Sequence, residues 1–426
     1  MNVYFENITL TTDTSTYKTN LHIIDGIIVH NSSDISPKKN ENTKIIDGTT
    51  LTCLPGLFDM HVHFREPGQE YKETIETGCN SAANGGFTGV LCMPNTAPSI
   101  DHPAVVEYIN SKAKGNIVDV YSSAAITVKR EGSTLTPMRQ LHDAGVLMFT
   151  DDGSCLMDSQ LMRNAYDYAS DFDGLLSQHC EDHQLTKNFA MNEGAVSEKL
   201  GLKGYPTVAE EIIIARDIQL ANFCGNRRYH VSHMSTKGGV HLVSDAKARG
   251  QRITCEVTPH HFVLTDSSIE QYGTNAKMNP PLRTEEHRLA LIEGICNGTV
   301  DCIATDHAPH ASHEKVVDFS SGANGITGLE TSFALSYTTF VSSGLISLSK
   351  LVSLMSTNPR SILQLPSISF EVGSSANVTI VDTNIEWEID SKKHLSKSLN
   401  TPFDGFKVFG KPMFTINNSQ MYTCNL

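Results

Sequence analysis

His61-Val62-His63 sets two imidazoles two residues apart. On a strand that spacing turns both rings to one face, where they can share a metal ion. Neutral imidazole and carboxylate suit zinc or a similar divalent ion. Groups of the same types stand at the ends of other apolar runs: Asp151 and Asp152, His179, His233 and Asp306. Four imidazoles and two carboxylates exceed the needs of one four-coordinate ion, so two divalent ions sharing a bridge is the simplest expectation. The bridge between two close cations should be anionic, and Asp152 with a hydroxide beside it can supply it. Only one of Asp151 and Asp152 should enter the site, because neighbours on a strand point to opposite faces. Cys180, next to His179, should point away for the same reason. His183, His230, His260, His261 and His307 read as hydrogen-bonding support or packing.

These groups can meet only if the strands that carry them converge. Strand candidates lie at 56–63, 88–94, 118–126, 146–152, 175–180, 229–233, 253–260 and 300–306. Helical patterns separate them, as at 207–223 with Ile213, Ile214, Ile218 and Leu220, and at 285–297 with Leu289, Leu291, Ile292 and Ile295. Eight strands alternating with helices predict an α/β fold, a (β/α)8 TIM-type barrel whose C-terminal strand ends form one functional face. An open doubly wound sheet is the competing architecture. Before the barrel, 7–11 and 22–29 suggest a hairpin with an Asp25-Gly26 turn, followed by a polar loop at 32–42 and a strand from Lys44. After a helical pair near 330–340 and 348–356, strand patterns return at 377–381 and 419–424. The expected division is a barrel over 54–361 flanked by a small β-sandwich-like domain that both chain ends, 1–53 and 362–426, build together.

Bulk properties narrow the function. A formal charge of -14 argues against nucleic acid and anionic membranes as partners. No run approaches the roughly 18 apolar residues of a membrane span, and the first residues show no signal-peptide pattern, so a cytoplasmic location is expected. The ten Cys are scattered without a CxxC pair, which reads as buried reduced thiols.

Seven longer motifs resemble one family: LPGLFDMHVHFREPG at 54–68, MPNT at 93–96, FTDDG at 149–153, HVSHMST at 230–236, EVTPHH at 256–261, NPPLR at 279–283 and TDHAPH at 305–310. They are similar to the type I dihydroorotases of the amidohydrolase superfamily, and the resemblance spans nearly the whole chain. It implies reversible cyclisation of N-carbamoyl-L-aspartate to L-dihydroorotate with loss of water, in de novo pyrimidine (UMP) biosynthesis, at a binuclear centre with a bridging hydroxide. Under it His61, His63 and Asp306 hold one ion, His179 and His233 the other, and Asp152 bridges. Many relatives bridge with a carboxylated Lys, but 146–152 contains none. Zinc is the implied metal and Asp306 the catalytic base and acid. His63, Arg65, Asn95, Asn279 and His310 are implied to contact substrate. Arg65, two residues beyond His63, can independently offer its donor fork to a carboxylate in the same mouth. Asn324-Gly325 stand where many relatives carry Phe-Gly, which keeps backbone contacts to substrate and removes an apolar wall. A homodimer and association with aspartate carbamoyltransferase are the partners implied. The alternatives are another cyclic-amide hydrolase of hydantoinase or allantoinase type and a catalytically silent partner subunit.

Overall fold

The computed structural model describes residues 1–34 and 42–426; most of the polar loop expected at 32–42 lies outside the described residues. All eight expected barrel strands form, as Leu57–Val62, Phe87–Cys92, Asp119–Ala124, Met148–Phe149, Leu176–Gln178, Tyr229–Val231, Ile253–Val257 and Cys302–Ile303. They pair in that order and in parallel. A bridge between Val62 and His307, with His63 N–H donating to the His307 carbonyl at 2.8 Å, links the last strand's continuation to the first. The architecture is therefore the (β/α)8 barrel, not the open sheet.

Several strands end earlier than the apolar runs suggest. The run at 253–260 stops at Val257, and His260 lies on the short helix Pro259–Val263. His233 and Asp306 adopt positive φ, 31° and 47°, which no ladder accommodates. The residues at the rim leave strand geometry in order to aim side chains across the mouth.

The helices Val208–Phe223 and Glu285–Asn297 cover the barrel through Ile213, Ile214, Ile218, Leu291 and Ile295. Leu289, expected on that apolar face, is instead 51% exposed. The expected helix at 330–340 begins at Ser332 and finishes in a π-helical turn, Tyr337–Ser342. Nine of the ten cysteines are buried and Cys296 is exposed.

Both chain ends build one mixed eight-stranded sheet. Thr16–Ile24 turns through Asp25-Gly26, both at positive φ, into Ile27–Ser32, the backbone that a tight hairpin needs. Leu51–Pro55 pairs with Asn2–Thr11 on one side and with the distant Val378–Glu388 on the other. Phe5, Ile8, Leu21, Val378 and Ile380 share one core, so neither end buries its apolar face alone. The Thr379 hydroxyl ties this sheet to the barrel, donating to the Gly86 carbonyl at 2.6 Å and accepting the Leu57 N–H at 3.2 Å.

Inside the barrel, Phe58, Met60, Leu91, Met93, Met148 and Leu175 form an apolar floor. A register shift between Asp59 and Val62 lets Met60 join this floor while its neighbour His61 joins the polar cluster above. Phe58 packs on Tyr121 at 5.9 Å between centroids, with the Arg360 guanidinium 5.2 Å from its ring. Phe58→Ala should therefore destabilise the chain by about 3–5 kcal/mol, read as a lower urea midpoint with the slope unchanged.

Candidate active site

At the barrel mouth His61, His63, Asp152, His179, His233 and Asp306 come together, all buried. Three sets of ligand atoms, from His61, His63 and Asp152, from His61, His233 and Asp306, and from Asp152, His179 and His233, each lie within 4.8 Å of one another. Asp152 belongs to two of the three. Asp151 turns away to accept the Thr127 N–H at 3.0 Å, and Cys180 turns to the Tyr229 hydroxyl at 3.2 Å.

The outer nitrogens of three imidazoles are engaged by oxygen acceptors. His61 Nδ1 faces Glu256 Oε1 at 2.6 Å, His63 Nδ1 faces Asn95 Oδ1 at 2.8 Å, and His179 Nε2 faces Glu181 Oε2 at 2.9 Å. Each of those ring nitrogens must carry the proton, so the inner nitrogen of each neutral ring is a lone pair. These lone pairs point at more acceptors. His61 Nε2 stands 3.4 Å from Asp152 Oδ1 and 3.6 Å from Asp306 Oδ1, while His63 Nε2 stands 2.9 Å from Asp306 Oδ1. His61 Nε2 is buried with no hydrogen-bond partner. Acceptors facing acceptors in a buried cluster call for a proton or a cation between them, and this is the donor set that a metal centre would use.

The charge distribution follows from this crowding. Burial opposes ionisation of Asp152, yet the imidazoles of His61, His233 and His63 outweigh it and hold its pKa well below the carboxylate range. Burial likewise opposes ionisation of Asp306, but His61 and His63 bring it down to about 2. Burial also works against a charged His61, yet with only carboxylates around it Asp152, Glu256 and Asp306 carry its pKa well above the ordinary imidazole value, so a bound cation would replace a proton on its inner nitrogen.

The neighbouring histidines support the cluster. His230 Nε2 lies 3.3 Å from Glu256 Oε2, and His183 Nε2 accepts the Cys155 N–H at 3.0 Å. His307 Nδ1 accepts the Gly328 N–H at 3.1 Å, and His261 bonds the Pro280 carbonyl at 2.9 Å. His260 packs ring to ring against His261.

Beside the cluster opens a cavity of about 260 Å³ whose wall includes His63, Arg65, Asn95, Asn279, His310 and Asn324. Arg65 is buried, and desolvation lowers its pKa to about 10, which leaves it cationic at neutral pH. Its Nε donates to the Pro309 carbonyl at 3.2 Å, and its Nη2 lies 3.5 Å from His310 Nε2. Burial, then Arg65 and Lys72, lower the His310 pKa to about 3, so its ring is neutral. Asn279 donates to Glu181 at 2.9 Å and leaves its Oδ1 buried and unpartnered. The Asn324 carbonyl accepts from His310 at 2.9 Å. Gly325 sits behind the wall, where an added Cβ would fall 2.5 Å from the Ala308 carbonyl oxygen.

Sequence reasoning missed Glu256 and Glu181 as the groups that orient the histidines of the cluster. Glu181 was detectable, since a carboxylate only two residues beyond His179 lies within reach of its ring. Glu256 was not, because an acidic residue on an inner strand reads equally as a ligand, a base or a support.

Comparison with known proteins bears on the family and the fold. A family model described as dihydro-orotase-like matches residues 51–239. A dihydroorotase from Chlorobaculum tepidum is 49% identical over 412 residues, covering 93% of each chain. One from Syntrophus aciditrophicus is 47% identical over 377 residues, covering 88% of each. Among solved structures, an L-hydantoinase from Arthrobacter aurescens superposes with a TM-score of 0.88 at 24% identity, over 99% of this chain and 96% of that one. At that identity the likeness concerns the fold.

Glu256 is the anionic acceptor behind His61, and it also receives the His233 N–H at 3.2 Å. Glu256→Gln should weaken metal binding by about 10–100-fold, measured by competition with a chromogenic chelator, while the circular dichroism spectrum stays that of the parent.

Proposed function

Since the chain belongs to the dihydroorotase family, we propose that this cluster and cavity carry out the reversible cyclisation of N-carbamoyl-L-aspartate to L-dihydroorotate, with loss of water, in de novo pyrimidine biosynthesis. The observation that carries the reading is the pairing, in one cavity, of a cluster built to hold cations with a buried cationic Arg65. A carboxylated ring would give the free edge of that guanidinium a partner, which an uncharged ring would not.

We assign His61, His63 and Asp306 to one divalent ion and His179 and His233 to a second, with Asp152 between them and zinc as the metal. When bound, the pair supplies Lewis acidity toward the amide carbonyl and brings the pKa of water toward neutrality. The remaining work falls to the side chains. Asp306 lines the cavity and is ionised at neutral pH, as a base must be. In ring opening it takes a proton from the attacking water and returns it to the departing ring nitrogen. In ring closure it accepts a proton from the ureido nitrogen. Arg65 and Asn95 hold the carboxylate that does not react, the guanidinium through its free edge, and His310 joins them by turning its one N–H from the Asn324 carbonyl to the carboxylate. Neutral His310 adds no second charge that would have to be desolvated. The unpartnered Asn279 Oδ1 offers an acceptor to a substrate N–H. Asn324 and Gly325 shape the wall beside His310.

The substrate is a small molecule, and among the described residues no helix is long and apolar enough to cross a membrane. A cytoplasmic location, a homodimer and association with aspartate carbamoyltransferase extend this reading from the family resemblance.

Turnover of N-carbamoyl-L-aspartate by the purified chain, compared with hydantoin and allantoin, tests the proposal, and preference for either of the latter overturns it. Asp306→Asn should keep its metal yet lose most of its turnover, about 10²–10⁴-fold, and a substantially active variant removes the base assignment. Arg65→Met should raise KM for dihydroorotate roughly tenfold or more, with a smaller effect on kcat.

A further inference from the structure

Between the strands Val378–Glu388 and Lys407–Asn417 the chain leaves the terminal sheet and docks on the barrel beside the cavity. Two buried barrel carboxylates grip this strap. Glu330 accepts the Leu395 N–H at 2.8 Å and the Ser396 N–H at 3.3 Å, and Glu73 accepts the Ser396 hydroxyl and the Lys397 N–H. The Ser398 hydroxyl then donates to the Lys72 carbonyl at 2.8 Å.

This docking delivers Asn400 to the back of the cavity wall. Its carboxamide is buried and wholly committed to backbone: Oδ1 accepts the His310 N–H at 3.0 Å, and Nδ2 donates to the carbonyls of Ala308 at 3.0 Å and Gly325 at 2.9 Å. Its own carbonyl accepts the Thr327 N–H at 3.0 Å. The peptide between Pro309 and His310 is thereby held from both sides, since Arg65 Nε donates to the Pro309 carbonyl at 3.2 Å.

We propose that Asn400, supplied by the terminal domain, is a positioning residue for the carboxylate-binding end of the cavity. By fixing the rotation of the 309–310 peptide it sets where the Arg65 fork and the His310 ring stand. Only a side chain with one acceptor and two donors fits the three backbone groups. Aspartate would set a charge against two carbonyl oxygens, and leucine keeps the shape without any of the bonds. The inference rests on the reading that Arg65 and His310 bind the carboxylate.

The test uses the full chain loaded with zinc and the variants Asn400→Leu, Asn400→Asp and Arg65→Met. Metal content and melting temperature are measured with KM and kcat for dihydroorotate. Inhibition constants are taken for orotate and for dihydrouracil, which lacks the carboxylate. A misaligned anion site raises KM and the orotate constant roughly tenfold in the Asn400 variants, with kcat within about threefold and with metal content and the dihydrouracil constant unchanged. Equal weakening of both rings, or an unchanged KM in a folded, metal-loaded variant, overturns the role. If Asn400→Leu does not fold, Asn400→Ser, which keeps a hydroxyl for one bond, carries the same measurements. Should Arg65→Met alone raise KM, only the Asn400 role fails; should Arg65→Met leave KM unchanged, the carboxylate reading itself fails.

Discussion

The rest of the molecule serves one electrostatic constraint: inner imidazole nitrogens and two carboxylates crowd together, buried, at the barrel mouth. Without a proton or a cation between them that arrangement is repulsive, and burial weakens the solvent screening that would otherwise relieve it. Glu256, Asn95 and Glu181 make it persistent by claiming the outer protons of His61, His63 and His179, so these rings cannot turn their donors inward without leaving a carboxylate or an amide unpaired.

The barrel answers that constraint by construction. Eight parallel strands bring residues far apart in the chain to one rim, and the strands stop short so that His233 and Asp306 can take backbone conformations a ladder forbids. Strained backbone at such positions persists only where the surroundings hold it. Here Asp59, buried beneath the cluster, accepts the N–H groups of both His61 and Thr305 and joins the first strand to the last. The apolar floor of Phe58, Met60 and Leu91 below then keeps the site shallow and its side chains packed.

Much of this was legible in the chain. Strand starts, the helix Glu285–Asn297, the shared sheet of the two ends and the ligand types at strand ends all follow from apolar periodicity and turn chemistry. Strand ends were less so, because the rim residues are apolar or buried whether or not they pair, and only the backbone distinguishes Val257 from His260. Leu289 shows the opposite limit, an apolar residue at a plausible spacing that faces water. Asn400 was beyond reach, since a polar residue in an irregular stretch gives no sign that its partners lie at 308, 310 and 325.

The shared sheet also has a temporal meaning. Leu51–Pro55 waits for Val378–Glu388, and the Leu57 to Thr379 bond spans 322 residues. A ribosome emits the entire barrel while the N-terminal strands still present an unpaired edge, the kind of surface on which chains aggregate. The strap that carries Asn400 emerges later still. Synthesis therefore emits the His and Asp cluster of the rim before the residue that braces the far wall of the cavity, and a chain halted in between lacks the bonds that hold the 309–310 peptide.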